Sequence, residues 1–246
     1  MRVKSRWLQL VALAATAIPG SAFAYDFIPT EAEFLAWPFY CQARYVTLPV
    51  GENSIWALKV PKGQIERAYK QLGEATFGGI HHYCAGTVWL SRAKLEPDKA
   101  LRDFYLRTAK SETMFTFNRL PPDTPMIVPV MTNLALVNYE QGEFDTAIDL
   151  LEQAAERRPE EPMTYSALAT IYRERKRLDL ARDVLMRGDK VLAGHSAEIQ
   201  YNLGLVLLEL GDIDGAQACA RKAYELGHPL PGLRNKLRRA GHPIDG

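Results

Sequence analysis

The amino-acid sequence predicts an all-α fold of stacked helix pairs, and three observations predict it. Small residues return in phase, because Ala147, Ala181 and Ala216 are 34 and 35 residues apart, and so are Ala135, Ala169 and Gly204. A third small series, Ala154, Gly188 and Ala223, trails the first by seven residues in every unit. Gly142, Lys176 and Gly211 divide the units into two helical halves, each with Leu134, Leu168 or Leu203 just before its small residue. Small side chains recur where two helices must approach closely, since a larger one would push the pair apart. Hydrophobic residues make up 47% and charged ones 24% of the 246 residues, which excludes disorder, collagen-like structure and a polytopic membrane protein.

Residues 1–24 read as a signal peptide. Arg2, Lys4 and Arg6 form a basic start, residues 7–18 are mostly apolar, and Ala22 and Ala24 suit a signal peptidase, so cleavage is expected after Ala24. The apolar run is shorter than the roughly 20 residues a spanning helix needs, so no stable membrane insertion is expected after cleavage. The expected location is the periplasm. Without those three basic residues the formal charge of +1 becomes −2, which argues against nucleic acid as the main partner.

Residues 25–79 form an irregular helical extension. Thr30 and Glu33 make a capping box that opens a helix to about Ala43, with Pro38 expected to kink or split it. Residues 45–61 look irregular, residues 64–72 read as a short helix, and residues 73–79 as a loose connection. Residues 80–125 read as a degenerate repeat: a helix from Ile80 to Ala93 with Gly86 as its small residue, then one from Pro97 and Asp98 to the stop at Leu120, Pro121 and Pro122. Residues 126–228 hold the three clear units, at about 128–161, 162–195 and 197–228, with Gly194 as a one-residue insertion. Residues 229–246 supply a capping helix and tail, in which Leu230, Leu233 and Leu237 share a face. Its basic residues, Arg234, Lys236, Arg238 and Arg239, read as the solvated side of that cap, with acidic lipid headgroups or glycans as the ligand-bearing alternative.

Two cysteines lie early in the chain. A Cys41–Cys84 bridge closes 42 intervening residues, suits an oxidising compartment, and is worth roughly 4 kcal/mol on the chain-entropy estimate. The alternative is a metal- or redox-active module using Cys41, Cys84, His81 and His82, since His81 and Cys84 share a helix face. Cys219 reads as a buried small hydrophobe. No phosphate loop, dinucleotide fingerprint, Gly-x-Ser-x-Gly elbow or His-Glu-x-x-His motif occurs, so no enzyme, metal or cofactor is expected.

The in-phase residues resemble the tetratricopeptide repeat family. The first unit matches with Leu134, Ala135, Gly142, Ala147, Leu151, Ala154 and Pro159; the second with Tyr165, Leu168, Ala169, Tyr172, Ala181, Leu185 and Gly188; the third with Leu203, Gly204, Gly211, Ala216 and Ala223. Asn138, Leu207 and Gln200 depart from the family pattern. The resemblance implies a superhelix whose concave groove holds a peptide or protein partner. It places Asn133, Leu136, Tyr139, Thr170, Arg173, Glu198, Tyr201, Asn202 and Leu205 in that groove, together with Thr132 and Ser166. Asn133 and Asn202 fall at one repeat position, where an amide could satisfy a bound backbone. The family's clamp for a C-terminal carboxylate is not expected, because its Lys members are missing. The expected function is a non-catalytic periplasmic adaptor, within an envelope assembly such as a pilus, secretion or polysaccharide export machine.

Overall fold

The computed structural model describes residues 27–244, so the expected export segment lies outside the described residues. Helix α1 (Glu31–Ala36) begins at the expected capping box: Thr30 Oγ1 accepts the Glu33 amide at 3.3 Å, and the Thr30 amide donates to Glu33 Oε2 at 2.7 Å. It stops before Pro38, and α2 (Phe39–Tyr45) starts afresh. A proline disfavours the helical region for the residue before it, and Trp37 is extended at φ −66°, ψ 143°. A single turn, α3 (Pro49–Glu52), interrupts the irregular stretch that follows.

The next helix corrects an expectation. Residues 73–79 are not a loose connection: α4 (Lys62–Leu95) is helical on both sides of one non-helical residue, Gly73, at φ 73°. Each interior glycine costs a helix roughly 0.5–1 kcal/mol, which Gly78 and Gly79 together make a real penalty. Burial offsets it. Phe77 is buried, a gain of about 2 kcal/mol for a side chain of that size, and Thr76 Oγ1 lies 3.1 Å from Thr124 Oγ1 in the interior. Helix α5 (Lys99–Phe117) starts where Asp98 Oδ1 accepts the Leu101 amide at 2.8 Å. It packs against the second half of α4 at Gly86, where a Cβ would collide with Thr113 Oγ1.

Three helix pairs continue the stack: α6 (Ile127–Glu140) with α7 (Phe144–Arg157), α8 (Pro162–Glu174) with α9 (Leu178–Val191), and α10 (Ala197–Leu210) with α11 (Ile213–Glu225). Every first helix ends with one bond pattern. The amides of Glu143, Arg177 and Asp212 donate to the carbonyls of Asn138, Tyr172 and Leu207 at 2.8, 2.8 and 2.9 Å. Closing that turn needs a left-handed residue, which is Gly142 at φ 83°, Gly211 at φ 85° and, against steric preference, Lys176 at φ 60°. The small residues sit where their phase requires: Ala135, Ala147, Ala154, Ala181, Ala216 and Ala223 are fully buried. A Cβ on Gly188 would stand 2.7 Å from Tyr165 Cγ, and one on Gly204 would stand 2.6 Å from Leu233 Cδ2. Helix α12 (Gly232–Arg239) closes the last row with Leu233 and Leu237, both fully buried. The apolar interior is thus a string of clusters along the stack, in which each row touches its neighbours.

Two substitutions test this packing by thermal or chemical unfolding. Lys176→Gly is expected to stabilise by roughly 0.5–1 kcal/mol, because the left-handed residue then costs nothing. Gly188→Ala is expected to destabilise by about 1–3 kcal/mol through overpacking, whereas Gly78→Ala, with open space around its added Cβ, should stabilise. Equal effects of the two alanines would show that Gly188 marks no close approach.

Candidate partner-binding groove

Exposure marks one face of the stack. On α6 only Pro129, Leu136, Tyr139 and Glu140 escape full burial, and they fall on a single helical stripe. The same register on α8 leaves Met163, Thr170, Arg173 and Glu174 accessible, and on α10 Glu198, Leu208 and Glu209, with Leu205 buried and Tyr201, the equivalent of Thr132 and Ser166, accessible beside them. Thr132 and Ser166 lie between these residues as a buried polar floor, 5% and 8% exposed. Three parallel stripes make a continuous wall on the first helices.

Polar ties cross that wall at its C-terminal edge. Arg102 Nη2 reaches Glu140 Oε2 at 2.7 Å, Tyr139 Oη donates to Glu174 Oε2 at 2.7 Å, and Arg173 Nε faces Glu209 Oε1 at 3.7 Å. Glu140, Glu174 and Glu209 hold one repeat position, so each row presents an acid to a donor of the row before. Burial and the Glu174 carboxylate push the Tyr139 phenol up to about 12, which keeps it a donor at neutral pH. Each tie at such partly exposed sites contributes up to about 1 kcal/mol, so the ladder sets register more than stability.

The structure divides the expected groove residues. Leu136, Tyr139, Thr170, Arg173 and Glu198 stand on the accessible wall. Asn133 does not: it is 7% exposed, and its amide is donated to Thr113 Oγ1 of α5 at 2.8 Å. Its repeat equivalent Asn202 donates instead to Ser166 Oγ at 3.0 Å, so the two amides tie rows together rather than forming a matched pair for a bound backbone. Leu205 is also corrected. It is 8% exposed and packs with Leu233 and Leu237 under α12, because the last row has no following pair to cover it. Tyr201 stacks on His228 at 3.9 Å between ring centres, and Glu198, Tyr201 and Asn202 line a cleft of about 500 Å³ with His228 and Leu230. His228 lies in the turn after the repeats and carries no periodic signal, and Leu230 is a correction: expected on the cap's apolar face with Leu233 and Leu237, it precedes α12 and is 58% exposed.

The ends of the wall are closed by the chain itself. Counting back from Ala135 to Gly86, Ile80 and Tyr83 take the inner positions of the row before α6, and both are buried against α1 and α2. Cys41 and Cys84 are disulfide-bonded there with Cα atoms 5.7 Å apart, and Trp37 Nε1 donates to the Cys84 carbonyl at 3.0 Å. This corrects the metal- or redox-active alternative. Both sulfurs are bonded and 1% exposed, which removes the thiolates a metal needs and shields the bridge from exchange. His82 Nδ1 sits 2.6 Å from Glu112 Oε2, and no group of three metal-ligating side chains stands together among the described residues. Burial first, then the charges of His82 and Arg44, lowers the pKa of His81 to about 3. Cys219 is unpaired, with burial pushing its thiol up to about 11.

Comparison with known proteins gives matches to the tetratricopeptide repeat. One profile of that description matches residues 132–188 and another residues 197–226. No curated protein sequence matches the chain. Among solved structures, the thermophilic protein TTC0263 from Thermus thermophilus is similar with a TM-score of 0.44 and 18% identity, over 65% of this chain and 90% of that one. MamA AMB-1 is similar with a TM-score of 0.40 and 17% identity, over 67% and 84%. MamA MSR-1 is similar with a TM-score of 0.40 and 18% identity, over 66% and 88%.

Two measurements test the closed N-terminal end. Cys41→Ser/Cys84→Ser is expected to cost roughly 4 kcal/mol of unfolding free energy under oxidising conditions. His81 stays neutral in the fold, so above pH 6.5 it leaves stability unchanged, whereas between 6.5 and about 3 only the unfolded chain binds its proton. Stability should therefore fall with falling pH by up to about 1.4 kcal/mol per unit from this residue. Denaturant titrations at several pH values should show a shallower decline for His81→Gln, and identical slopes would exclude the assignment.

Proposed function

We propose that the chain, which carries tetratricopeptide repeats over residues 132–188 and 197–226, works as a non-catalytic scaffold that holds an extended segment of a partner protein against the first-helix wall. The observation that carries this reading is the register of the accessible stripes. Leu136 and Thr170 occupy one repeat position, Pro129, Met163 and Glu198 another, and all five are half-buried, so that part of each side chain reaches solvent. A row of mixed aliphatic and polar side chains at fixed spacing suits a backbone laid across the helices. Tyr139 supplies the amphipathic ring common at contact hot spots.

Export to the periplasm belongs to the same proposal. The basic and apolar start of the sequence supports it, and a buried disulfide is in keeping with an oxidising compartment. The proposed place of action is an envelope assembly, such as a pilus, secretion or polysaccharide export machine, where an adaptor brings proteins together. The non-catalytic reading rests on the repeats and on the absence of a recognisable catalytic motif in the sequence.

Site-specific photo-crosslinking in intact cells tests the wall directly. A photoreactive residue at Leu136 or Thr170 should capture a partner, and one at the outward-facing Asp149 or Asp183 should not. Capture from the outer positions alone would move the binding surface to the convex side.

A further inference from the structure

The closing end of the stack carries a charge pattern that the groove does not use. Helices α11 and α12 together carry two acids, Asp214 and Glu225, one at each end of α11, and six Lys and Arg side chains. Packing concentrates them. Helix α12 runs antiparallel to α11: Arg234 lies over the Tyr224 ring at 4.2 Å, while Gln217 Nε2 donates to the carbonyls of His242 and Pro243 at 3.2 and 3.1 Å. Those two crossings place Arg238 opposite the stretch of α11 that holds Ala220 and Arg221. Arg221, Arg234 and Arg238 therefore share one seam, with the exposed Lys222 and Arg239 on the same two helices and Lys236 4.0 Å from Glu209 of α10.

Two further features show what this face lacks. Arg234 Nε is buried and makes no hydrogen bond, although its guanidinium is held over Tyr224 and its backbone amide donates to Tyr224 Oη at 3.0 Å. That Nε is shielded from any outer surface, so anion contacts at Arg234 fall to its terminal guanidinium nitrogens, held in a fixed plane over the Tyr224 ring. Leu233 and Leu237 point wholly inward, so the outer side of α12 offers charge without an apolar pocket that could order a peptide side chain. Leu230, 58% exposed, is the apolar residue at its margin.

We propose that the α11–α12 face docks on an anionic phospholipid surface, with the headgroup phosphates taken by the seam of Arg221, Arg234 and Arg238. A sheet of headgroups meets many basic side chains at once and requires no chain to be ordered in a groove, whereas an acidic peptide would lose its conformational freedom with no slot to hold it. Arginine is suited to the role, since its planar fork matches phosphate oxygens. Docking of this kind is peripheral: no helix among the described residues is long and apolar enough to cross a membrane. It would leave the first-helix wall of α6 and α8 free for a protein partner.

Co-sedimentation of the full chain with lipid vesicles tests the proposal. Vesicles of phosphatidylcholine containing one part in three of phosphatidylglycerol should bind the chain, and phosphatidylcholine alone should not. Binding should vanish as added salt shortens the screening length from about 30 Å to about 3 Å. The exposed-residue variant Arg221→Gln/Arg238→Gln/Arg239→Gln, checked for unchanged thermal unfolding, should bind anionic vesicles on the order of 100-fold more weakly. Arg234→Lys keeps the charge but not the fork, and should weaken binding by less than the triple variant. Equal binding to neutral vesicles, no binding to either, or an unchanged triple variant would overturn the proposal. Displacement from anionic vesicles by soluble polyglutamate at matched charge would also overturn it, and assign the face to an acidic polypeptide.

Discussion

Close approach of helix backbones is the constraint on which the structure depends. The alanines of the three small-residue series are buried, an added Cβ on Gly188 would run into the Tyr165 ring, and one on Gly204 would meet Leu233, Cys219 and the Ala216 carbonyl. Tyr165 shows how tightly the rows are coupled: its ring lies over Gly188, and its hydroxyl donates to the Pro159 carbonyl in the turn between units at 3.0 Å. Such spacing fixes how far each helix pair turns from the last. The accessible stripes on α6, α8 and α10 follow as a consequence, because only the side of each first helix that no neighbour covers keeps its side chains in solvent.

Both ends of such a stack would expose apolar surface, and the chain closes them by different means. At the start, a disulfide and a cluster of aromatic rings, with Phe34 and Trp56 stacked at 4.7 Å, hold short helices against α4. Those helices are too short to be stable alone, and the covalent link offsets part of their ordering entropy. At the finish, one short helix puts two leucines over the last row and turns its charges outward. The two closures bound the open wall to α6, α8 and the outer part of α10. They also separate its surroundings, with a neutralised acid ladder along one edge and a basic face at the far end.

The sequence makes the repeats legible because their constraint is local and periodic. Ala147 returns as Ala181 and Ala216 whatever the surroundings, and the turn geometry is readable at Gly142 and Gly211. Lys176 was legible only by position, since its left-handed backbone opposes its residue type. The early chain is less legible, for a physical reason. Gly78 and Gly79 suggest a loop on propensity, but burial of Thr76 and Phe77 against distant residues makes that segment helical. Repeat position gives the groove in outline but not the burial of Asn133 and Leu205. Repeat position predicts which face a residue takes; it does not predict that Thr113 will claim an amide or that α12 will cover a leucine.

The in-phase small residues hold the rows together, and a paired substitution series measures how tightly. Ala147→Leu, Ala181→Leu and Ala216→Leu enlarge fully buried positions, and Asp149→Leu, Asp183→Leu and Ala218→Leu place the same side chain two residues on, at exposed positions. Equilibrium unfolding should show a loss of about 1–3 kcal/mol or more at each buried position and changes within about 0.5 kcal/mol at each exposed one. Equal tolerance of leucine at both sets would contradict the account, because the rows would then have room that close approach denies them.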